Sequence, residues 1–377
     1  MSAPARISNG VCLDVSPEGC ARQVAEQVAA ERLLPPVTGG PRAVLVLGSS
    51  GGYGLASRIV AAFGAGARTL GVSFEREPCD KRGGSPGWYN NLAFDEAARL
   101  HGIASVTLVA DAYQSTTKTR VIETARANGF EKFDLVVYSL AAPARTDPVT
   151  GTVYRTAIKP IGQPYSAQTL NLANGTLKTT TVAPATEEEI LGTVKVMGGE
   201  DWQLWIEALQ SAGMLHAGVK TVAFSYLGPV CTRAVYRSGT LGRAKAHLEA
   251  TARDLDARLS PLGGSAHVAI CKALVTRASA VIPAMPLYLA ALYRVMKKHG
   301  SHEGCLEQMN RLFRDRLYSG QPVAVDEERR IRLDDLEMRD EVQSEVAGIL
   351  ETVTPENVWS LVDYEGYQRD FLALHGL

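Results

Sequence analysis

Residues 43–59 constrain the fold of this chain more than any other stretch. An apolar run at 43–47 has the length of a buried strand, and after it Leu55, Ile59 and Val60 recur with helical spacing. Four glycines lie between the two: Gly48, Gly51, Gly52 and Gly54. Glycine permits positive φ and lets a phosphate approach the backbone, and the N-terminus of the following helix attracts anions. The pattern predicts a strand, a tight turn and a helix of the kind that holds a dinucleotide pyrophosphate.

The glycine spacing, G-x-x-x-G-x-G, looks like the nucleotide loop of short-chain dehydrogenases, although an ordinary turn between a core strand and a core helix is an equal alternative. A second apolar run, 69–74, ends in Glu75, where dinucleotide-binding folds place a carboxylate on the adenosine ribose. Glu75 would repel a 2′-phosphate and so favours NAD over NADP. Three nearby cations, Arg76, Lys81 and Arg82, are able to accept such a phosphate.

Composition and charge exclude several classes of protein. The 377 residues carry 39 Lys and Arg against 40 Asp and Glu, which leaves no basic surplus for nucleic acid or an anionic membrane. The N-terminus lacks the apolar core of a signal peptide. The longest uncharged apolar run, 278–293, is short for a membrane span and contains two prolines. We therefore expect a cytoplasmic protein with no membrane span and no nucleic-acid partner.

The cysteines and histidines do not favour a metal centre. The six cysteines are dispersed without a C-x-x-C pair, as expected for free thiols in a reducing compartment. His299, His302 and Cys305 have the three-residue spacing of metal ligands, but a fourth ligand is not apparent. We predict no metal.

Apolar runs of strand length alternate with amphipathic helices along most of the chain, which predicts a doubly wound parallel sheet of the Rossmann type. Further strands are predicted at 105–110, 134–139, 220–226 and 266–272. Helices are predicted at 21–32, 90–100, 118–128, 187–197 and 201–211, and the region after Leu274 is expected to be mostly helical, with a polar break at 319–326. A strand-like piece at 10–15 is expected to extend the sheet at its N-terminal side.

We predict one large domain. Residues 143–185 interrupt the alternation with Thr, Pro, Asn and Gly, and a segment of this length between core elements is typical of a flap. The predicted parts are an N-terminal extension, a cofactor-binding core, a substrate-covering flap, and a catalytic and substrate-binding part, at 1–40, 41–142, 143–185 and 186–377.

Two tyrosines and a lysine follow the fifth predicted strand. Tyr226 ends the strand, and Tyr236 and Lys245 are nine residues apart, which puts them on opposite faces of an uninterrupted helix. They converge only if the chain breaks near Gly239, with Thr240 as the N-cap of a new helix. A nearby ammonium would lower the phenol pKa and suit the tyrosine to acid catalysis. A core tyrosine and a solvated lysine are the alternative.

Motifs along essentially the whole chain resemble one family. They lie at 46–58, 71–75, 87–91, 137–141, 194–202 and 274–283, with Tyr226 and the Tyr-x8-Lys pair Tyr236 and Lys245. These segments resemble the FabV/TER family of NADH-dependent trans-2-enoyl-thioester reductases. Members of that family are expected to extend somewhat beyond the position equivalent to Leu377.

The resemblance implies a relative of the short-chain reductases with a Rossmann core and a flap. It makes Tyr236 the proton donor, Tyr226 the substrate-contacting tyrosine, and Lys245 a catalytic and cofactor-binding lysine. The residues that it assigns to NADH are Gly48, Ser49, Ser50, Gly51, Gly52, Tyr53, Phe74, Glu75, Asp111, Ala112, Ser139, Leu140, Leu274, Val275 and Thr276. The apolar run 278–293 is either a wall of an acyl pocket or an ordinary core helix.

The implied reaction reduces the C2=C3 bond of an enoyl thioester on coenzyme A or acyl carrier protein, as in fatty acid biosynthesis. Hydride adds to C3, a tyrosine stabilises the enolate, and C2 is protonated. A carbonyl-reducing short-chain dehydrogenase is a second hypothesis, which the spacing opposes because it requires Tyr-x-x-x-Lys on one helical face. A non-enzymatic NAD-sensing module is a third. The resemblance also implies a monomer or a weak dimer.

Overall fold

The structure is a computed structural model that describes residues 5–8, 11–80, 82–276, 279, 282 and 284–377. Within these residues the strands are β1 (Ile7–Ser8), β2 (Val11–Cys12), β3 (Ala43–Leu47), β4 (Arg68–Ser73), β5 (Ser105–Val109), β6 (Phe133–Tyr138), β7 (Ala144–Thr146), β8 (Val153–Arg155), β9 (Tyr165–Leu170), β10 (Leu177–Val182), β11 (Leu215–Ser225), β12 (Ser265–Ile270) and β13 (Arg330–Arg332). The helices are α1 (Pro17–Arg32), α2 (Gly52–Ile59), α3 (Pro86–Leu100), α4 (Ser115–Ala127), α5 (Glu187–Met197), α6 (Glu200–Ser211), α7 (Thr240–Leu259), α8 (Met285–Lys298), α9 (Cys305–Arg311), α10 (Asp340–Thr352), α11 (Val358–Leu361) and α12 (Tyr364–Ala373).

In this described part, seven parallel strands form the central sheet in the order β13-β12-β11-β6-β3-β4-β5. The chain leaves β3 toward one edge and returns at β6 to build toward the other. Ligands of such sheets bind at the carboxyl ends of the strands where this reversal occurs. The predicted doubly wound Rossmann sheet is confirmed, and the glycine-rich turn lies at its switch point.

Helices cover both faces of the sheet because successive residues of a strand point to opposite sides. Val44 and Val46 pack with α1, α2, α3 and α9, whereas Leu45 and Leu47 pack with α4, α6 and α7. A third core surrounds the almost completely buried α8, with α10, α11 and α12 around it, and it includes Tyr236. The mostly helical C-terminal part is therefore built on α8.

Several predicted helices begin earlier than expected. Helix α1 begins at Pro17 because the hydroxyl of Ser16 accepts a hydrogen bond from the Gly19 amide, and proline suits the first helical position. Helix α3 likewise begins at Pro86, four residues before the predicted start. The strand β3 and the helix α5 have the predicted bounds.

The expectation for the N-terminal segment was wrong, and one strand of the central sheet was missed. The short strands β1 and β2 pair with each other rather than with the central sheet, and Gly10 of the predicted piece lies outside the described residues. The missed strand, β13, has only three residues, two of them arginines. Arg330 is buried there because Asp326 and Glu328 each approach its guanidinium to 2.8 Å. Ion pairs thus stabilise an edge strand that the hydrophobic pattern of the sequence does not predict.

The predicted flap consists of two hairpins, β7–β8 and β9–β10, that lie outside the central sheet. Side-chain hydrogen bonds attach it to the core. The buried Arg145 guanidinium of β7 lies 2.7 Å from the carboxylate of Glu200, and the Tyr165 hydroxyl of β9 donates to the carbonyl of Cys231 at 3.0 Å. The second contact ties the flap to the segment between Tyr226 and Tyr236.

No helix among the described residues is long and apolar enough to cross a bilayer. In the same residues, His, Cys, Asp and Glu side chains form no group of three that could hold a metal ion, and the cysteines form no disulfide. His299 contacts Glu345 at 2.7 Å instead, and His302 packs against the ring of Tyr293. Lys81, Arg277 and part of the apolar run, at 278, 280–281 and 283, lie outside the described residues.

Candidate active site

The glycine-rich turn brings β3, β6 and α2 into close contact. Gly48 has a φ of +86° and Gly52 a φ of +53°, both in the left-handed region that favours glycine. A side chain at Gly48 would collide with the carbonyl of Ser139, and one at Gly54 would collide with the carbonyl of Gly48. Helix α2 has no side-chain cap at its N-terminus. Its first N–H groups therefore point from the turn as the donors that a pyrophosphate needs.

Glu75 is held beside this turn at the carboxyl end of β4. Its carboxylate accepts hydrogen bonds from the hydroxyls of Ser50, at 2.6 Å, and Ser85, at 2.5 Å. The side chain fits because Gly87 has no Cβ, and Asn90 fixes the turn by donating to the Ser50 carbonyl at 2.9 Å. Sequence reasoning missed Ser85, although a serine before a proline at a helix start is a recognisable signal.

Three further residues predicted to bind NADH, Phe74, Asp111 and Ala112, follow β4 and β5. Phe74 is 79% exposed. Asp111 accepts hydrogen bonds from the Tyr113 amide and the Gln114 side chain, each at 3.0 Å, so its carboxylate shapes the turn before α4. The N-cap of α4 is Gln114, and Ala112 is buried beneath the turn.

The remaining predicted NADH-binding segments adjoin the glycine-rich turn from the other side. The Ser139 amide donates to the carbonyl of Leu47, and Leu140 packs where a side chain at Gly48 would lie. The Tyr53 hydroxyl donates to the Lys272 carbonyl at 2.7 Å, which ties the turn to the end of β12. Ser49 is buried, and its hydroxyl has no partner among the described residues.

Leu274, Val275 and Thr276 follow β12 and run past the same turn. The Thr276 methyl lies 3.8 Å from the position that a Cβ on Gly52 would take. The Val275 amide donates to the Tyr293 hydroxyl at 3.2 Å, so α8 fixes the segment. The structure thus gathers the predicted cofactor-binding residues around the carboxyl ends of neighbouring strands.

Tyr226 and Tyr236 are in direct contact beside this cofactor region. Their ring centroids are 4.9 Å apart with an interplanar angle of 81°, an edge-to-face pair. The Tyr226 hydroxyl donates to a carboxylate oxygen of Glu337 at 2.9 Å. The Tyr236 side chain is only 8% exposed, and within the described ranges its hydroxyl makes no hydrogen bond. Of the two phenols, Tyr236 has its proton available to a ligand.

Lys245 reaches the same strand end because the chain breaks before α7. The N-cap is Gly239 rather than the predicted Thr240, since the Thr240 hydroxyl donates to the flap carbonyl of Ala157. The half-buried ammonium of Lys245 donates to the carbonyl of Phe224 at 3.1 Å, two residues before Tyr226. The break brings both tyrosines and the lysine to the end of β11, as the spacing argument required.

The expectation that Lys245 lowers the pKa of Tyr236 was wrong. Burial raises the pKa of the Tyr236 phenol, and the negative charge of Glu337 raises it further. Burial also lowers the pKa of Lys245 to about 8. Tyr236 is therefore a neutral hydrogen-bond donor at physiological pH, and its use is to meet a developing negative charge.

Sequence reasoning also missed a buried carboxylate behind the tyrosines. Glu337 has no exposed surface and accepts hydrogen bonds from Tyr226, from the Tyr288 hydroxyl at 2.6 Å, and from the Ala273 amide at 2.6 Å. No motif marked it, because an isolated glutamate in the polar stretch before α10 resembles a surface residue.

Comparison with known proteins places the chain in a family. Residues 82–318 match the family described as "Trans-2-enoyl-CoA reductase catalytic region", and residues 3–80 match the "NAD(P)H binding domain of trans-2-enoyl-CoA reductase". The chain is 51% identical to the Treponema denticola protein named "Trans-2-enoyl-CoA reductase [NADH]", over 98% of this chain and 94% of that relative. This chain belongs to the trans-2-enoyl-CoA reductase family.

Other members of the trans-2-enoyl-CoA reductase family carry a different substrate in their names. The Coxiella burnetii (strain Dugway 5J108-111) protein named "Enoyl-[acyl-carrier-protein] reductase [NADH]" is 49% identical over 98% of this chain and 92% of that relative. The crystal structure of the Treponema denticola reductase in complex with NAD has a TM-score of 0.96 and 50% identity, covering 100% of this chain and 95% of that chain. The Clostridium acetobutulicum reductase in complex with NADH has a TM-score of 0.97 and 43% identity over the same shares.

A third family match concerns the C-terminal part of this reductase. Residues 325–377 match the "Enoyl reductase FAD binding domain". In this chain they form β13 and helices α10 to α12, and aromatic side chains of α12 are buried against α8. The segment contains three dispersed glycines and thus no glycine-rich turn for a dinucleotide phosphate. These residues do not fit a flavin dinucleotide, whereas the turn at 48–54 fits NADH.

Proposed function

We propose that this chain reduces the C2=C3 bond of trans-2-enoyl thioesters with NADH. The observation that carries the proposal is the Tyr236 hydroxyl, which has no hydrogen-bond partner among the described residues. It belongs to the cluster with Tyr226 and Lys245 at the end of β11, in a dinucleotide-binding sheet. Family membership and relatives named as NADH-dependent reductases support it.

The proposed cofactor site uses the turn at 48–53, whose N–H groups bind the pyrophosphate. Glu75 accepts from the adenosine ribose and excludes a 2′-phosphate by charge, and Phe74, Asp111 and Ala112 border the adenine. Leu274 to Thr276, with Ser139 and Leu140, border the nicotinamide. Lys245 donates to the nicotinamide ribose, which explains why a lysine is kept half-buried at the end of β11.

In the proposed reaction, bound NADH would supply the hydride that adds to C3 of the enoyl thioester. Negative charge then develops on the thioester oxygen, and Tyr236 donates a hydrogen bond to that oxygen. A donor already in place in a dry site stabilises such charge without reorganisation. Tyr226 holds the ring of Tyr236 and contacts the substrate with its own ring. The enolate then takes up a proton from water at C2, which completes the reduction.

The proposed substrate is an enoyl group carried by coenzyme A or acyl carrier protein, as in fatty acid biosynthesis. The acyl chain lies against α8. Tyr288 of this helix donates a hydrogen bond to Glu337, and Tyr293 accepts one from the Val275 amide, so both side chains adjoin the proposed site. We further propose one domain over residues 1–377, a cytoplasmic location and a monomer or weak dimer.

The test is oxidation of NADH, followed by its absorbance, with crotonyl-CoA as substrate. Stoichiometric conversion to butyryl-CoA supports the proposal. Acetoacetyl-CoA serves as the carbonyl control, since a carbonyl-reducing dehydrogenase would use it and leave crotonyl-CoA unreduced. A chain that binds NADH but reduces neither compound is not a reductase of these thioesters, and that result would refute the proposal.

A further inference from the structure

Glu337 connects three elements that border the tyrosine pair. One carboxylate oxygen accepts from the hydroxyls of Tyr226 and Tyr288, and the other accepts from the amide of Ala273. These donors belong to the end of β11, to α8 and to the end of β12. A single buried side chain therefore fixes the back wall of the site.

The surroundings of the Glu337 carboxyl group suit an acceptor. The Ala273 amide can only donate, and the Tyr226 and Tyr288 hydroxyls donate to the same carboxyl oxygen. Burial raises the pKa of Glu337, but the buried ammonium of Lys272 opposes that effect. Lys272 donates to the Ala273 carbonyl at 3.0 Å and lies near Glu337 without a direct ion pair among the described residues. Three hydrogen bonds and one nearby cation together offset part of the free-energy cost of burying a charge here.

The loop that carries Glu337 is held rigidly. The Leu333 amide donates to the carbonyl of Ile270, which continues the register of β13 beside β12. The Gln343 side chain, at the start of α10, donates to the Glu337 carbonyl at 2.7 Å and to the Tyr288 hydroxyl at 3.2 Å. The carboxylate is thus preorganised before any ligand binds.

This geometry divides the work of the two tyrosines. The Tyr226 hydroxyl donates its proton to Glu337, whereas the Tyr236 hydroxyl has no acceptor in the described part of the chain. We propose that Glu337 is a positioning residue that holds the Tyr226 hydroxyl away from the thioester oxygen, so that Tyr236 alone donates to it. The edge-to-face contact then fixes the ring of Tyr236. This inference rests on the proposed function, and it gives residues 325–377 a part in the reaction that needs no flavin.

The test is a double-mutant cycle of Glu337→Gln with Tyr226→Phe, measured as kcat for crotonyl-CoA and KM for NADH. Glu337→Gln is expected to lower kcat about 10- to 100-fold, as for a lost hydrogen bond to a charged group, with KM for NADH unchanged. In the Tyr226→Phe background the same change is expected to lower kcat less than about threefold, because the route through Tyr226 is already gone. A merely structural role would give the same loss in both backgrounds.

The matched control is Glu31→Gln. Glu31 is another buried glutamate, which contacts Asn310 and Arg314 where α1 meets the end of α9, in a different core from Tyr236, and its replacement is expected to leave kcat unchanged. If Glu337→Gln does not fold, Glu337→Asp keeps the charge near Lys272 but withdraws it by one methylene, and the same coupling is expected. Equal losses in both backgrounds, or no loss in the single variant, would overturn the inference alone. An unaltered chain that does not reduce crotonyl-CoA would overturn the proposed function and this inference with it.

Discussion

Replacing Tyr236 by phenylalanine separates catalysis from stability in this site. The Tyr236 hydroxyl makes no hydrogen bond in the described part of the chain, so its removal leaves no buried group unpaired and should change the free energy of unfolding by less than about 0.5 kcal/mol. Loss of one preorganised donor to a developing oxyanion lowers kcat by about 10²- to 10³-fold. The affinity for NADH should stay unchanged, because the phenol acts on the thioester oxygen.

The assay compares Tyr236→Phe with Tyr226→Phe. Turnover is followed by NADH absorbance with crotonyl-CoA, NADH affinity by fluorescence titration, and stability by denaturant unfolding. Tyr226→Phe is the matched control, because it takes one of three donors from the buried carboxylate of Glu337 and should cost about 1–3 kcal/mol of stability. Unchanged turnover in Tyr236→Phe would remove the phenol from the mechanism. If Tyr236→Phe lost as much stability as Tyr226→Phe, the Tyr236 hydroxyl would be shown to be a structural group.

Two further predictions concern charge. Glu75→Ala should lower the ratio of kcat/KM for NADH to kcat/KM for NADPH by about tenfold or more, because it removes the carboxylate, held by Ser50 and Ser85, that would repel the 2′-phosphate. An unchanged ratio would contradict this role. Burial lowers the pKa of His302 from 6.5 to about 3, so between these pH values the unfolded state binds more protons than the folded state, and stability should fall as the pH drops from 6.5 toward 3. His302→Phe should make the melting temperature depend less on pH in this range. An unaltered dependence on pH would contradict this prediction.

The cofactor half of the molecule was predictable because its determinants are local. Five apolar residues followed by four glycines specify β3 and its turn, and the acidic residue after β4 follows by chain distance alone. Helix α5 begins at a capping box formed by Thr186 and Glu189, a signal contained within four residues. Each of these features depends on neighbours in sequence, which is what a pattern can record.

The sequence predicted that Tyr226, Tyr236 and Lys245 come together at one strand end, but it did not predict the contacts around them. The break before α7 was anticipated, yet the cap moved to Gly239 because Thr240 bonds to Ala157, more than eighty residues earlier in the chain. The pKa of Tyr236 was misjudged because it is raised by burial and by the charge of Glu337, which lies about a hundred residues further along the chain. The strand β13 was missed because it has only three residues and two of them are arginines, and the partners of Arg330, Asp326 and Glu328, lie in the polar stretch just before it.

Glu337 also violates the ordinary rule for a protein core, and this violation is informative. Packing α10 against α8 requires only apolar contact, and replacing a buried charge by an apolar residue of similar volume is often neutral or stabilising. The chain instead keeps a carboxylate there, surrounds it with three donors and places Lys272 nearby. Local departures from good core design concentrate at sites whose geometry serves a reaction. Glu337 is such a departure, because it accepts the hydrogen bond of one of two adjacent phenols, Tyr226, and leaves the hydroxyl of the other, Tyr236, able to donate to a ligand.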